Sequence, residues 1–405
     1  MELERIKSAV SGYIDKEAPS LWSLSLELHR HPEVAFQEKR ASAAVARYLE
    51  ERGFGIEMGV ADLPTAFRAK RPAKGASKPV VSFMAEYDAL PGLGHACGHN
   101  VIAMASAGAG AALANTVGPE TGGVQVLGTP AEEGGGGKVI MAKKGFFRRI
   151  DANMMMHPSG ETRAMVNFLA LAELRFCFYG KASHASAAPE KGINALDGVL
   201  AAFNAISALR QHLPPGDKVH GVITEGGEAP NIVPEKAAAW FYVRSETEKG
   251  LEDILQRVIN CARGAARSTG TRVRVDKNPI TYAPMRVNGE LASLFRRNLE
   301  SLGIFEPDPL PPLAMGSSDV GNASQNVPTI HPEIQMVSPD TSAHTRAFAE
   351  AAGGTAGKRT LFLGAKALAM TGVDILLDKK ARDRVKQEFR IEGRRPASRP
   401  RTAEK

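Results

Sequence analysis

The chain has 405 residues, of which 43% are hydrophobic and 23% charged, with a formal net charge of +7. This length and composition exclude disordered and fibrous proteins and leave room for two globular domains. Three cysteines cannot build a disulfide framework and indicate a reducing compartment. The first residues are typical of an amphipathic helix without a signal-type core, and no apolar run approaches the roughly 20 residues of a membrane helix. We therefore expect a cytoplasmic protein with no membrane partner.

Much of the positive charge is concentrated at the C-terminus. Residues 390–405 carry five Arg and one Lys against two Glu, and two prolines interrupt any helix there. An arm that binds nucleic acid would be expected to have aromatic side chains interleaved with its charges, and this segment has none. We predict a disordered basic tail and no nucleic-acid partner.

The first predicted elements along the chain are two helices. One covers residues 21–29 and ends at the His31-Pro32 break, and the other covers residues 39–52 and ends before a glycine. His29 and His31 lie at the end of the first of these helices. Histidines also serve as caps at helix ends, so we interpret this pair as structural rather than metal-binding.

Short apolar runs then alternate with helix-like segments. Strands are expected at residues 80–84, 124–127 and 154–156, and an Ala- and Met-rich helix at 101–114. This alternation predicts a parallel sheet covered by helices on both faces. Polar and reactive side chains follow each strand, at the sheet edge where open α/β folds bind ligands.

The pattern changes near Leu169, where a smaller domain is expected. Its predicted elements are half-buried antiparallel strands at 172–180 and 236–244 and helices at 194–211 and 251–269. The chain then returns to the first domain near Tyr282, and an Ala-rich helix at 349–370 closes that domain. The predicted boundaries are 1–168 and 283–389 for the first domain, 169–282 for the inserted domain and 390–405 for the tail.

Five residues have the chemistry of metal ligands. Cys97 and His99 are two positions apart in the turn after the first predicted strand, and thiolate with imidazole favours zinc or manganese over magnesium or calcium. Glu133, His157 and His344 each follow a strand-like run, so all five side chains can converge at one sheet edge. A set of this size suits two ions about 3.5–4 Å apart.

Glu132 is the candidate general base. It adjoins Glu133 and precedes four glycines, whose flexibility allows a tight turn that brings both carboxylates to one site. One carboxylate can then bind metal while its neighbour accepts a proton from metal-activated water. Burial and a nearby cation would tune that neighbour as base and then as acid.

Two other kinds of site compete with the metal site as interpretations. A thiol nucleophile at Cys97 with His95 or His99 is possible, but it leaves the paired glutamates and the distant histidines without a role. The glycine run is not a phosphate-binding loop, because Lys138 is followed by Val139 instead of Ser or Thr.

These motifs together resemble the M20 family of metallopeptidases and amidohydrolases. The resemblance is strongest to the branch of aminoacylases and dipeptidases that includes M20 domain-containing protein 2 and the aminobenzoyl-glutamate hydrolase subunits, and it covers about residues 28–389. The segments that carry it are 86–100, 128–138, His157-Pro158, 180–185, 229–234, 242–244 and 343–348.

The resemblance implies an α/β catalytic domain of the zinc-exopeptidase type, with a mixed, largely parallel sheet, and a smaller inserted α+β lid that also forms a homodimer or higher oligomer. The implied metal ligands are Cys97, His99, Glu133, His157 and His344. The implied catalytic residues are Glu132, as general base, and His184, a lid histidine that stabilises the oxyanion, often from the partner subunit. The implied substrate-binding residues are Asn231 and Arg244, since a guanidinium pairs with a carboxylate through two parallel hydrogen bonds.

Two positions depart from the wider family. Asn100 stands where many two-metal relatives have Asp, and Glu86 stands where the wider family has a metal-binding His two residues before Asp88. The expected cofactor is Mn²⁺ or Zn²⁺. Because of these two departures, we expect one or two ions per subunit.

The expected function is metal-dependent hydrolysis of the amide C–N bond of an N-acyl amino acid or small dipeptide-like substrate with a free carboxylate. Metal-activated water would attack the carbonyl carbon, with Glu132 as general base. One alternative is an aminohydrolase that releases ammonia from a substituted aromatic amine. Another is a non-catalytic binding subunit, which the intact base and ligand set argue against.

Overall fold

The computed structural model describes residues 2–75, 78–311 and 315–392, and the chain forms two compact units. Within the described residues, unit 1 contains 2–167, 285–311 and 319–392, and unit 2 contains 168–284 and 315–318. The predicted tail lies outside the described residues from 393 onward. Its first residues, 390–392, belong to the last helix instead.

The strands are β1 (Gly55–Met58), β2 (Phe67–Arg71), β3 (Val80–Ala85), β4 (Gly123–Gly128), β5 (Ala152–Met154), β6 (His157–Ser159), β7 (Ala170–Tyr179), β8 (Lys218–Glu225), β9 (Lys236–Ser245), β10 (Arg272–Lys277), β11 (Thr329–Ile330) and β12 (Glu333–Gln335). The helices are α1 (Glu2–Arg30), α2 (Lys39–Glu50), α3 (His99–Thr116), α4 (Gly137–Lys143), α5 (Ala195–Arg210), α6 (Glu248–Thr269), α7 (Gly289–Ser301), α8 (Val320–Ser324), α9 (Arg346–Ala352), α10 (Thr355–Leu377) and α11 (Lys379–Glu392). Short 3₁₀ turns occur at Val60–Asp62 and Pro189–Lys191.

Unit 1 contains a mixed, largely parallel sheet with the strand order β1-β2-β4-β3-β5-β11. Strands β4, β3, β5 and β11 run parallel to one another, while β2 pairs antiparallel with both β4 and β1 at one edge. The central strands are buried along almost their whole length, as expected when helices cover both faces. The predicted α/β fold class with a mixed, largely parallel sheet is confirmed.

The reactive segments begin where the central strands end. Glu86 and Asp88 follow β3, the segment 129–133 follows β4, and His157 opens β6 shortly after β5. Because β3, β4 and β5 are parallel neighbours, their carboxyl ends bring these segments to one edge of the sheet. Helix α3, almost entirely buried and made mostly of small residues, packs against β3 and β4 and fixes the turn that precedes it.

Unit 2 is an antiparallel sheet of order β10-β7-β9-β8 with α5 and α6 packed on one face. Burial alternates along β7 and β9, so the face away from the helices carries the polar and aromatic side chains. Leu171 and Tyr282, near the two ends of segment 168–284, exchange two backbone hydrogen bonds of 3.0 and 2.9 Å. The predicted α+β character is confirmed, and β8 and β10 are strands that the sequence analysis did not predict.

Several predicted elements differ from the structure. The helix predicted at 21–29 is the end of α1, which continues through Pro19 because Val10, Ile14 and Leu21 form one buried stripe that outweighs a lost hydrogen bond. The helix predicted at 349–370 is interrupted at Gly353-Gly354, which separates α9 from α10. The third strand ends at Met154, two residues earlier than predicted.

Helix α10 is long and apolar enough to cross a membrane, by length and composition alone. The expectation that no apolar run approaches that length was therefore wrong. Most of α10 is buried inside unit 1, against α1, α3 and α7, as in the core helix of a globular domain.

Candidate functional site

Asp88 holds two parts of the candidate metal centre in unit 1. Its Oδ1 accepts a hydrogen bond from His99 Nδ1 at 3.0 Å, and its Oδ2 accepts one from the Glu133 backbone amide at 2.9 Å. Because Nδ1 faces Asp88, Nε2 is the His99 nitrogen directed at the other donor atoms, the usual arrangement of a metal-binding histidine. Burial lowers the pKa of His99, but the Asp88 carboxylate outweighs burial and raises that pKa well above its ordinary value, so an ion bound at Nε2 would replace a proton. Burial raises the pKa of Asp88, but the His99 ring and the Glu133 amide outweigh burial and hold the pKa below its ordinary value.

Cys97 and His157 face each other, with Sγ and Nε2 3.4 Å apart. His157 Nδ1 donates to the carbonyl oxygen of Pro158 at 2.6 Å, so Nε2 is the nitrogen with the lone pair and accepts from the Cys97 thiol. Gly98 makes this approach possible, since its φ is +77° and a Cβ there would lie 2.9 Å from Pro158 Cγ. Burial raises the pKa of the Cys97 thiol far above its ordinary value, so the side chain stays protonated unless a cation replaces the proton. This favours a ligand role for Cys97 over the alternative of a thiolate nucleophile.

Glu133 and His344 complete the predicted ligand set. Glu133 Oε2 lies 3.4 Å from His344 Nε2, and His344 is half-exposed, on the open side of the group. The His344 backbone adopts a left-handed conformation with φ of +64°, and its amide donates to the carbonyl of Ala96 at 2.9 Å. The hydrogen bond to Glu133 raises the pKa of His344.

The five predicted ligands and Glu132 are brought together in three overlapping groups, in each of which the possible ligand atoms lie within 4.8 Å of one another. The groups are Cys97, His99 and His157; Cys97, Glu133 and His344; and His99, Glu132 and Glu133. Two of these atoms, His99 Nε2 and Glu133 Oε1, are buried without a hydrogen-bond partner among the described residues. Buried polar atoms are normally paired, so this sulfur, nitrogen and oxygen donor set fits a transition-metal ion.

The turn that carries Glu132 is held by Glu38, a residue that the sequence analysis did not select. Ala131 has φ of +60°, and its amide donates to Glu38 Oε1 at 2.9 Å. The other oxygen of Glu38 accepts from Thr65 Oγ1 at 2.9 Å. The glycine run matters through packing as well as flexibility, because a Cβ on Gly137 would lie 2.0 Å from the carbonyl oxygen of Pro130.

Beside Glu132 lies a buried ionic triad. Lys138 Nζ is 2.6 Å from Glu86 Oε1 and 2.7 Å from Asp319 Oδ1, and all three residues are at most 1% exposed. Burial raises the pKa of Asp319 to about 6, although Lys138 opposes this shift. Burial, together with the charges of Glu86 and Glu133, also raises the pKa of Glu132 well above its ordinary value, as suits a general acid and base at neutral pH. Lys138 stands alone between glycines and an apolar helix, a signal that should have suggested a buried ion pair.

The two departures from the wider family have structural roles. Glu86 is engaged by Lys138, and its other oxygen is 3.6 Å from His99 Nε2, so it borders the donor groups without belonging to them. Asn100 Nδ2 donates to Ser25 Oγ at 3.0 Å and to the carbonyl of Ala352 at 3.1 Å. Its side-chain amide thus joins α3 to α1 and α9.

The remaining histidines of unit 1 support their neighbours. His29 Nε2 donates to the carbonyl of Ala349 at 2.8 Å, which agrees with the structural interpretation of that residue. His95 Nε2 donates to the carbonyl of Leu28, and burial lowers the pKa of His95 to about 3. His331, not among the predicted site residues, stacks on the His157 ring with centroids 5.3 Å apart.

The predicted lid residues His184 and Asn231 lie on paired segments of unit 2. His184 is exposed, and its Nδ1 accepts hydrogen bonds from the amides of Ser186 and Ala187 at 3.3 and 3.2 Å. Because only a lone pair can accept, the ring proton is on Nε2, and His184 presents a donor to solvent. The Ala185 amide donates to the carbonyl of Asn231 at 3.0 Å, which places the exposed Asn231 beside the His184 loop.

Arg244, the third predicted lid residue, is half-buried on β9. Its Nη1 donates to Ser317 Oγ at 2.8 Å and its Nε to His220 Nε2 at 3.3 Å. Neither neighbour was selected from the sequence, because each is distant along the chain and polar side chains of this kind are common on surfaces.

Comparison with known proteins supports a family assignment. Residues 170–269 match the family model of the M20 peptidase dimerisation domain. The chain is 39% identical to the Xaa-Arg dipeptidase of Mus musculus, over 96% of this chain and 93% of that protein. It is 32% identical to a p-aminobenzoyl-glutamate hydrolase subunit of Escherichia coli (strain K12), over 70% of this chain and 63% of the other.

A solved structure supports the fold. A dinuclear metal-binding peptidase from Bacillus subtilis superposes with a TM-score of 0.68 and 19% identity, covering 89% of this chain and 99% of that one. At this identity the similarity shows the fold alone.

Proposed function

The chain belongs to the M20 peptidase family, and we propose that it is a metal-dependent hydrolase of an amide C–N bond in a small substrate with a free carboxylate. The substrate class is an N-acyl amino acid or a dipeptide-like molecule. The observation that carries the proposal is the set of three overlapping ligand groups formed by Cys97, His99, Glu133, His157 and His344, one of which includes Glu132. Within the described residues, His99 Nε2 and Glu133 Oε1 in these groups are buried without a hydrogen-bond partner.

We propose that these five residues hold one or two ions of Zn²⁺ or Mn²⁺. A divalent ion held there would supply a Lewis acid that polarises the substrate carbonyl and acidifies water. The Asp88 hydrogen bond to His99 and the Pro158 carbonyl beside His157 present the correct nitrogen of each ring.

Glu132 acts as the proton carrier in this proposal. Its raised pKa allows it to accept a proton from the attacking water and to deliver that proton to the leaving amine. The hydrogen bond from Ala131 to Glu38 fixes the backbone immediately before Glu132, so the carboxylate does not have to be ordered during the reaction.

We propose recognition roles for three residues of unit 2. We propose that the Nε2–H of His184 donates to the oxyanion, a role that its tautomer supports. Arg244, with Asn231, would pair with the substrate carboxylate. Because this unit matches a dimerisation domain, we also propose a homodimer in which unit 2 makes the subunit contact.

The test is replacement of Glu132 by Gln in the full chain, with metal content and amine release measured on the same preparation. N-acyl amino acids, dipeptides and aromatic amines serve as substrates, and Zn²⁺ or Mn²⁺ is restored after chelation. We expect turnover to fall by about 100-fold or more while bound metal is unchanged. The matched control is Glu120→Gln, because Glu120 pairs with Lys74 on the surface. Full activity in E132Q, or release of ammonia in place of an amine, would contradict the proposal.

A further inference from the structure

The face of the unit 2 sheet opposite its helices carries a cavity of about 360 Å³. Its side-chain walls come from β8 and β9, namely His220, Val222, Trp240, Tyr242 and Arg244. The rings are in contact: Trp240 and Tyr242 are edge to face with centroids 5.4 Å apart, and His220 meets Tyr242 in the same way at 5.9 Å. The cavity therefore combines a continuous aromatic wall with a guanidinium.

The charge of Arg244 is not compensated by an anion. The acceptors of its two hydrogen bonds, Ser317 Oγ and His220 Nε2, are uncharged, and no carboxylate in the described part of the chain forms an ion pair with it. His220 is neutral here, since its Nε2 accepts from Arg244 and burial lowers its pKa. Burial also lowers the pKa of Arg244, a shift that an adjacent carboxylate would have reversed.

The two carboxylates in register with the aromatic wall, Glu173 and Asp276, are both paired, Asp276 with Arg274. Glu173 lies opposite Tyr242 on β7, accepts from Arg175 at 3.2 Å and accepts from Asn278 at 3.0 Å. Arg175 in turn covers the Trp240 ring at 4.8 Å. An ammonium ligand would thus meet positive charge in this cavity, whereas a carboxylate would meet an available guanidinium.

We propose that this cavity binds a carboxylate that carries a flat aromatic group, with the carboxylate on Arg244 and the ring against Tyr242 and Trp240. Arg244 stands 5.9 Å from the centroid of Tyr242, so the two parts of the ligand must be close neighbours in one small molecule. This rests on the proposed function and narrows it, because the residue of the substrate that bears the carboxylate is then preferentially aromatic. Trp240, Tyr242 and His220 become determinants of specificity.

The experiment uses the two tryptophans of the chain, Trp22 and Trp240. In a W22F variant, Trp240 is the sole source of tryptophan emission and reports directly on the cavity. The probes are 3-phenylpropionate, propionate and 3-phenylpropionamide. None of them is an N-acyl amino acid or a dipeptide, so none is a substrate of the proposed reaction. We expect 3-phenylpropionate to give a saturable change and to bind about tenfold or more tightly than propionate, because it adds an aromatic contact. The uncharged 3-phenylpropionamide should not bind measurably.

Two variants test whether the probe binds in the cavity or only through positive charge on the protein surface. Arg244→Gln should abolish 3-phenylpropionate binding, and Tyr242→Val should remove the preference over propionate. Arg274→Gln is the matched control, since Arg274 is exposed on the same sheet and pairs with Asp276. Calorimetric titration of the unmodified protein with the same probes gives the answer if W22F does not fold.

Equal affinity for propionate and 3-phenylpropionate, or equal binding by the R244Q and R274Q variants, would overturn the proposal. Because binding is read without turnover, the two hypotheses fail separately. Hydrolysis that requires Glu132, without binding of 3-phenylpropionate, refutes the aromatic cavity alone. Selective binding without hydrolysis supports the cavity and refutes the proposed catalytic function.

Discussion

Glu38 accepts a hydrogen bond from the backbone amide of Ala131, 93 positions away, and so sets the conformation of the residue just before Glu132. Replacement of Glu38 by Ala removes the side-chain acceptor of that amide. We expect kcat to fall by about 100-fold, because misplacement of a catalytic group by an ångström has that order of effect. Steady-state kinetics with metal analysis measure this, and the bound metal should be nearly unchanged.

Glu38→Gln is the matched variant. A glutamine can accept from Ala131 through its carbonyl oxygen and donate to Thr65 Oγ1 through its amide, so both hydrogen bonds survive. We expect most of the activity to return. An E38Q protein as inactive as E38A would show that the charge of Glu38, not its position, is what the site requires.

Lys138→Met should destabilise the protein severely. The substitution leaves Glu86 and Asp319 buried next to each other without a cation, which costs about 3–5 kcal/mol in comparable sites. Urea denaturation measures the free energy of unfolding. Adding Glu86→Gln and Asp319→Asn to K138M should recover much of the loss, since no buried charge then remains in the triad.

The control for this effect is Lys144→Met, because Lys144 pairs with Asp62 at the surface. Exposed pairs contribute about 0–1 kcal/mol, so K144M should be nearly neutral. Similar losses in K138M and K144M would mean that the triad adds little to stability.

His95 should make the protein sensitive to acid. Burial, and then the neighbouring His99 and His29, lower its pKa to about 3, against about 6.5 in the unfolded chain. Between these values the unfolded chain binds a proton that the folded protein does not, so stability is full above about pH 6.5 and falls as the pH falls. From pH 6.5 to pH 5 this one residue should cost about 2 kcal/mol.

The measurement is the free energy of unfolding at both pH values for the wild type and for His95→Gln, which keeps a donor for the Leu28 carbonyl. The wild type should lose more stability than H95Q over this interval. An identical pH dependence in the two proteins would exclude His95 as the acid-sensitive group.

Metal binding should release a proton from Cys97. Burial raises the pKa of its thiol, and the thiolate is the form that binds metal, so protons compete with the ion. Affinity for Zn²⁺ should therefore rise by up to about tenfold per pH unit near neutrality. Calorimetry in two buffers of different ionisation enthalpy gives the number of protons released. Cys97→Ser should lower the number of protons released by about one, whereas Cys177→Ser, a change in unit 2, should leave that number unchanged.

The sequence predicted those parts of the site that depend on short segments. Cys97, His99 and the Glu132-Glu133 pair lie in turns after apolar strands, and the structure brings them together with His157 and His344; their assigned roles remain predictions. The sequence could not reveal that Lys138 pairs with Asp319, 181 positions away, because long-range pairs leave no local pattern.

The sequence analysis missed two strands and the continuity of one helix, each for a physical reason. Strand β8 is mostly exposed and lacks the apolar alternation that marks a half-buried strand. Strand β10 does alternate, with Val273 and Val275 on the core side, but it has only two apolar residues and follows directly on the predicted helix, so the sequence analysis missed it. Pro19 usually indicates a break, yet tertiary burial kept α1 continuous.

The hydrogen-bonded pair of Leu171 and Tyr282 means that the chain enters and leaves segment 168–284 at one place. A segment whose two ends are adjacent can be inserted, deleted or exchanged as a unit, because the rest of the chain has to be connected to it at one place only. Ser317 limits such an exchange, since it comes from outside the segment. A transplanted segment 168–284 would carry Arg244 with it but would leave behind the Ser317 hydroxyl group that accepts its hydrogen bond, so a chimaera would need this serine in its host.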